Sequence, residues 1–272
     1  MINKDCYTNY MKIFLEENSK VNLISKNDEK YLWEKHVFDS LSISKFFEKY
    51  GVPKNLLDIG TGGGFPSVPV AIAFPQVEVV ALNENIGFGA GHNKAVRMID
   101  SDYHVIINPD LVFIENSIKK MVDYLENNVD IGVLSPKICF PDGREQILGK
   151  KDPHFKYILA SRLRGDEPGT LLKKYAMLDC DLTKPIDIEN ASGCFMVFRT
   201  SILKKVDGFD ERYFMYFEDA DITRKARKYS RVVYYPEAVV SHVWNRDSKH
   251  NFKLLAIHIH SMLKYYWKWK TI

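Results

Sequence analysis

Apolar residues recur at helical spacing through the first fifty positions, at Tyr10, Phe14 and Leu15 and again at Leu32, Val37, Leu41, Phe46 and Phe47. They predict helices over 5–50. A short apolar run at 55–60 then reads as a strand. It leads through Thr61-Gly62-Gly63-Gly64 into a helix over 65–74 and a second strand over 77–82. The rest of the chain alternates in the same way, with a glycine-rich opening to a helix over 87–99, a strand at 103–107, a helix over 114–126 and a strand at 131–135. Pro141-Asp142-Gly143 is a turn, and 149–188 is polar, rich in breakers and read as an irregular functional loop or flap. A strand at 191–198, helices over 201–206 and 219–228, strands at 231–235 and 238–242, and a helical tail complete the pattern. Strands alternating with helices predict an α/β fold with a doubly wound, largely parallel sheet of Rossmann type, preceded by N-terminal helices. The strands at 56–59, 77–82 and 103–107 are expected to share that one sheet. Ligands of such sheets gather at the carboxyl ends of the strands, where the glycine turn and Asn108-Pro109-Asp110 both fall.

Composition narrows the classes. A chain of 272 residues, 46% hydrophobic and 27% charged, supports a substantial core and excludes bulk disorder. A net charge of +3 gives no ground to expect a nucleic-acid partner. The polar N-terminus is not a signal peptide. No apolar run is long enough for a transmembrane helix, so the cytoplasm is the expected compartment. Cys6, Cys139, Cys180 and Cys194 are scattered and suggest neither a zinc site nor a disulfide framework. In the tail, Lys253, Lys264, Lys268 and Lys270 stand among Tyr265, Tyr266, Trp267 and Trp269. Two readings stand there: a helix packing its aromatics on the body, or peripheral contact with a membrane surface.

The first constellation is Asp58-Ile59-Gly60-Thr61-Gly62-Gly63-Gly64-Phe65-Pro66, a glycine turn between a strand and a helix. Glycines there permit a sharp turn and close approach of a ligand to the backbone. A tight structural turn is the equal alternative. Upstream lie Asn22-Leu23-Ile24 and Trp33-Glu34-Lys35-His36-Val37-Phe38-Asp39-Ser40-Leu41. Together these residues, over about 5–82, resemble the small-subunit rRNA guanine-N7 methyltransferases, also called glucose-inhibited division protein B. The resemblance implies that Gly60, Gly62 and Gly64 form a turn for S-adenosylmethionine. Asn83 stands where that family has an acidic residue for the ribose, and the family's later strands are absent.

The second constellation begins with Asn85-Ile86-Gly87-Phe88-Gly89-Ala90-Gly91-His92-Asn93 at a helix start. Asn108-Pro109-Asp110 follows at a strand end. Gly208-Phe209-Asp210-Glu211 leads to Phe217-Glu218-Asp219-Ala220-Asp221, and Val240-Ser241-His242 closes the set. Taken singly, Asn108-Pro109-Asp110 is equally a turn, the acidic trio equally the first turn of a helix, and His242 equally structural. In this order they resemble glycosyltransferase family 2, in particular bacterial rhamnosyltransferases, over about 83–272. The resemblance implies a GT-A-like fold and metal-dependent, inverting transfer from a nucleotide-sugar donor to a cell-surface glycan or lipid-linked acceptor. Asp110 and His242 would hold Mg²⁺ or Mn²⁺, with Asn108 in place of the first Asp of the family's Asp-x-Asp. Asp219 would be the base, Glu218 would assist it, and Gly87, Gly89, Asn93 and Asn108 would shape the donor pocket. The family's first strands, which grip the nucleobase, are replaced by the methyltransferase-like segment. Two other readings stay open: a methyltransferase fragment and an inactive fusion.

Overall fold

Helical spacing puts Tyr7, Tyr10 and Phe14 on one side of the first helical stretch, and this is the side the N-terminal region buries. The computed structural model describes residues 4–21, 23–52, 55–56, 63–79, 85–98, 100–108, 111–114, 116–163, 168–242 and 252–270. The chain divides into two compact units, Met1–Asn85 and Ile86–Ile272.

The first unit opens with α1 (Thr8–Val21), the single turn α2 (Lys26–Glu29), helical turns over Leu32–Phe38 and Leu41–Ile43, and α3 (Ser44–Tyr50). Ser25 caps α2 by accepting the Asp28 N–H at 3.2 Å. Asn18, buried on α1, joins the two helices. It donates to Glu29 Oε1 and accepts from the Ile24 N–H, both at 2.7 Å. The Phe14 ring meets Phe65 at 5.1 Å, within a cluster that includes Tyr7, Leu32, Val37 and Leu41. β1 (Asn55–Leu56) pairs in parallel with β2 (Glu78–Val79), and α4 (Ser67–Ala73) lies between them in sequence. This is the expected β-α-β unit.

The second unit runs α5 (Phe88–Met98), β3 (Tyr103–Ile107), β4 (Leu111–Ile114), α6 (Ser117–Asn127) and β5 (Ile131–Cys139). Next come α7 (Phe155–Leu163), α8 (Thr170–Tyr175), β6 (Ile186–Asp187), β7 (Phe195–Arg199) and α9 (Thr200–Lys205). α10 (Glu218–Ala226), β8 (Arg231–His242) and α11 (Phe252–Trp269) complete it. The strand order is β3-β7-β5-β8-β4, with β6 also on β8. β7 shows how the sheet is buried on both faces. Phe195 and Val197 pack with Met121 and Leu125 of α6, while Met196 and Phe198 pack with Val96, Leu203 and Ile222 of α5, α9 and α10. Arg199, at the end of β7, closes α6: its guanidinium donates to the carbonyls of Ile131, Leu125 and Asn128, which meets the acceptors a helix C-terminus leaves open.

The α/β class is as expected, but the sheet corrects the expected parallel order. Among the described residues the β5–β8 pair is parallel, while β3–β7, β5–β7, β4–β8 and β6–β8 are antiparallel. A strand buried on both faces is apolar throughout, so its sequence does not report its direction. Nor do the early strands share one sheet. Among the described residues β1 and β2 form their own, separate from the six-stranded one. The stretch 149–188, expected to be irregular, carries α7, α8 and β6. The Lys150 and Lys151 N–H groups both donate to Tyr175 O, and the Tyr157 and Tyr175 rings stack at 5.0 Å. β8 is one strand, with its irregularity at Pro236 absorbed in a register shift against β5.

Candidate functional site

Four acidic or aromatic residues in a row set the centre of the second unit. Tyr216 and Phe217 adopt left-handed φ values of 69° and 67°, immediately before Glu218 opens α10. Such a conformation costs a non-glycine residue about 1–2 kcal/mol and persists only where packing enforces it. Here α11 does so. Phe217 is buried against Tyr265 and His258 at ring distances of 5.5 and 5.2 Å, and the Ser261 hydroxyl donates to Met215 O at 2.8 Å. Asp221, fully buried, accepts from Lys268 at 2.8 Å and from the Trp269 indole at 2.7 Å. The turn that aims Glu218 and Asp219 is thus clamped from the far end of the chain. Neither the sign of φ nor this clamp has a signature in residue type.

Asp219 is half-buried, and its carboxylate is fixed by two backbone donors. The Gly193 N–H reaches Oδ2 at 2.9 Å and the Ala220 N–H reaches Oδ1 at 2.8 Å. Gly193 has to be small: a Cβ there would stand 3.1 Å from the Cβ of Asp219. The next residue, Cys194, accepts the Asn108 N–H at 2.8 Å, continuing the β3–β7 pairing. Asn108 and Asp219 are therefore bonded to two adjacent residues of the chain, Cys194 and Gly193. On the other side of the sheet His242 pairs with Leu111, the residue after Asp110 in the sequence. His242 is buried, and its Nδ1 lies 3.2 Å from Gln146 Oε1, while Gln146 Nε2 donates to His242 O at 2.8 Å. Gln146 was not foreseen from sequence, because its partner is 96 residues away.

Burial dominates the electrostatics. It pushes the Glu218 carboxyl well above the usual carboxylate range, and the adjacent Asp219 adds to the rise. Asp219 is raised by burial too, against the pull of its backbone donors. Glu218 Oε2 has no hydrogen-bond partner among the described residues. Burial thus favours the protonated form of Glu218 beside Asp219.

The glycine-rich start of α5 serves a neighbouring purpose. Gly87 has a φ of 90°, and a Cβ there would collide with the Phe214 carbonyl, to which the Phe88 N–H donates at 3.0 Å. Gly89 packs on Phe209. Asn93 is buried and engaged twice over, donating to Phe209 O and Glu211 Oε1 and accepting the Phe209 N–H at 2.8 Å. These residues hold the loop that precedes the strained turn. A surface groove of about 480 Å³ runs beside Asn93, Arg97, Asp100, Lys204 and Asp207. Neither Glu218 nor Asp219 lines it, and its cations are paired, Arg97 with Glu211 and Lys204 with Asp100.

For a divalent cation the donor chemistry of His242 fits. With Nδ1 beside Gln146 Oε1, the tautomer protonated at Nδ1 would leave Nε2 as the nitrogen to face a cation, as in a supported metal ligand. Its expected partner Asp110 lies outside the described residues, and among those described no three His, Cys, Asp or Glu side chains gather as a metal site. In the first unit Gly64 has a φ of 89° at the turn, while Gly60 and Gly62 lie outside the described residues.

Two family models match the chain. That for rRNA small subunit methyltransferase G covers residues 3–86, and that for glycosyl transferase family 2 covers 67–207. The ribosomal RNA small subunit methyltransferase G of Staphylococcus aureus is 39% identical over 88 residues, 31% of this chain, and the chain spans only 36% of that relative. Among solved structures, GalNAc-T7 with UDP, GalNAc and Mn²⁺ aligns over 72% of this chain and 38% of its own, with 11% identity and a TM-score of 0.49. The Pyrobaculum calidifontis mannosyltransferase PcManGT, in complex with GDP-Man and Mn²⁺, aligns over 76% and 54%, with 16% identity and a TM-score of 0.47. With its model spanning more than half of the sequence and the carboxylate pair of α10 lying beyond the matched stretch, the chain belongs to glycosyl transferase family 2, and the segment ahead of it is similar to the rRNA methyltransferases.

Proposed function

We propose that the C-terminal unit is an inverting glycosyltransferase. It transfers a sugar from a nucleoside-diphosphate donor, rhamnose from a dTDP donor being the instance implied by the resemblance. The acceptor is a cell-surface polysaccharide or its lipid-linked carrier, and the reaction takes place on the cytoplasmic side. The join falls between a methyltransferase-like segment, 1–82, and a glycosyltransferase-like region, 83–272. What carries the reading is the Asp219 carboxylate: raised by burial, only partly exposed, and pinned by the Gly193 N–H one residue from the partner of Asn108.

In this reading the acceptor hydroxyl gives its proton to Asp219 as its oxygen attacks the anomeric carbon. The bond from that carbon to the diphosphate breaks, and its electron pair leaves with the diphosphate. Glu218, neutral, donates a hydrogen bond within the site. Asn108 faces the donor, and Gly87, Gly89 and Asn93 shape its pocket by setting the 208–214 loop. Asp110 and His242 would hold Mg²⁺ or Mn²⁺, which offsets charge on the leaving diphosphate. The test is release of dTDP from dTDP-rhamnose in the presence of Mn²⁺, with water standing in for the acceptor hydroxyl and free rhamnose as the other product, followed by ³¹P NMR. Wild type is expected to release dTDP, and Asp219→Asn to be slower by roughly 100-fold or more. Equal rates would remove Asp219 from the mechanism.

The match over residues 3–86 favours a second reading, a fragment of a 16S rRNA guanine-N7 methyltransferase that holds S-adenosylmethionine at Gly60, Gly62 and Gly64. Metal-independent binding of S-adenosylmethionine would support it.

A further inference from the structure

α11 has a face that the packing of its unit does not use. Tyr265, Tyr266 and Ser261 turn inward, and Lys268 and Trp269 reach Asp221. Away from them stand Phe252, 89% exposed, Ile259 at 44%, Leu263 at 59% and Trp267 at 80%. Steps of seven, four and four residues keep all four on one stripe of the helix. The stripe is about 22 Å long at 1.5 Å per residue. Single exposed apolar residues are ordinary, but a continuous stripe of bulky ones marks an interaction surface.

The charge of the helix indicates what covers it. From Phe252 to Lys270 the chain carries Lys253, Lys264, Lys268 and Lys270 and no Asp or Glu. Lys268 is matched by Asp210 and Asp221, so the surplus positive charge rests on the other three. An apolar stripe with an exposed tryptophan, on a helix whose basic residues are lysines and histidines and which has no Asp or Glu, suits the boundary between acyl chains and anionic headgroups. Among the described residues no helix is long and apolar enough to cross a membrane, so this helix would lie in the plane.

We propose that α11 docks on an anionic phospholipid surface through Phe252, Ile259, Leu263 and Trp267. The inward side of the helix is tied to Asp221, two residues past Asp219. Docking therefore sets the start of α10 at a fixed height above the bilayer, where a lipid-linked acceptor diffuses. That consequence rests on the transfer reaction proposed above; the docking itself does not.

The test is co-sedimentation of the full chain with vesicles of phosphatidylglycerol and phosphatidylcholine, set beside vesicles of phosphatidylcholine alone. Binding is expected only to the anionic vesicles. It should weaken as salt rises and fall roughly tenfold or more in Leu263→Ser/Trp267→Ser, with the melting temperature unchanged. Should that variant fail to fold, quenching of the wild-type fluorescence by brominated lipid, lost in Trp267→Phe, reads the same contact. No binding by the wild type, or equal binding by the folded double variant, overturns the proposal. So does a dimer that the same substitutions dissolve, because the stripe would then belong to a second copy. Vesicle binding without any dTDP release would leave the docking intact and sink the transfer reading alone.

Discussion

The two units build the turn ahead of a helix in different ways. In the first, the glycine turn is backed by aromatic rings: Tyr10 and Phe14 of α1 stand against Phe65, and a Cβ on Gly63 would meet the Phe14 ring at 2.8 Å. In the second, the turn before Glu218 is made of bulky residues in left-handed geometry, and a buried polar anchor, Asp221 with Lys268 and Trp269, holds the helix that covers it. The first device needs little beyond glycine and apolar contact. The second stores strain and fixes the Asp219 carboxylate, the group given the role of base in the proposed transfer.

The difference can be broken most forcefully at Asp221. Asp221→Ala leaves a mostly buried Lys268 and an indole N–H without this partner. It should destabilise the second unit by about 3 kcal/mol, read as loss of hydrogen-exchange protection in α10 and α11. A smaller loss would mean that Asp210 alone holds Lys268. In the first unit Phe14→Ala opens a cavity at the ring cluster and should cost about 3 kcal/mol or somewhat less, since partly exposed neighbours can close in. Exchange in α1 and α4 reports it. Unchanged exchange there would mean that the cluster does not support the turn.

Much of this was legible in the sequence, for identifiable reasons. Helical spacing pointed to α1, the glycine-rich opening at 87 preceded the helix that is α5, and the apolar run at 191–198 holds β7. β4 was not expected: the sequence pattern assigns no element to 111–113 and starts the next helix at Ile114, since four apolar residues fit either period. α7 and α8 were missed because they are fastened through Tyr157 and Tyr175, a pairing across 18 positions that no local pattern shows. Within the site, Glu218, Asp219, Asn108 and His242 stood out by residue type and order. The Gly193 N–H, the strained Tyr216–Phe217 pair and Gln146 did not, because a backbone donor, the sign of φ and a long-range amide leave no local mark. Asn93, read as a donor-pocket residue, has its amide committed to Phe209 and Glu211.

A finer test sharpens the electrostatic half of the comparison. The Glu218 carboxyl is raised in the folded state, so ionising it costs stability. That cost is absent below the ordinary carboxylate range, grows as pH rises from that range to the raised folded value, and is constant above it. Glu218→Gln should therefore melt with wild type in acid and above it in alkali, by roughly 1–3 kcal/mol at pH 9. Equal melting at both ends would mean that Glu218 is not buried as described.

The central claim is that the diphosphate site belongs to the second unit, and the shift in melting temperature with dTDP plus Mn²⁺, set beside that with S-adenosylmethionine, tests it most directly. A ligand that binds only the folded state must stabilise it. The account predicts a Mn²⁺-dependent rise with dTDP that disappears in Asp110→Ala; a rise with S-adenosylmethionine alone, or with neither ligand, would contradict it.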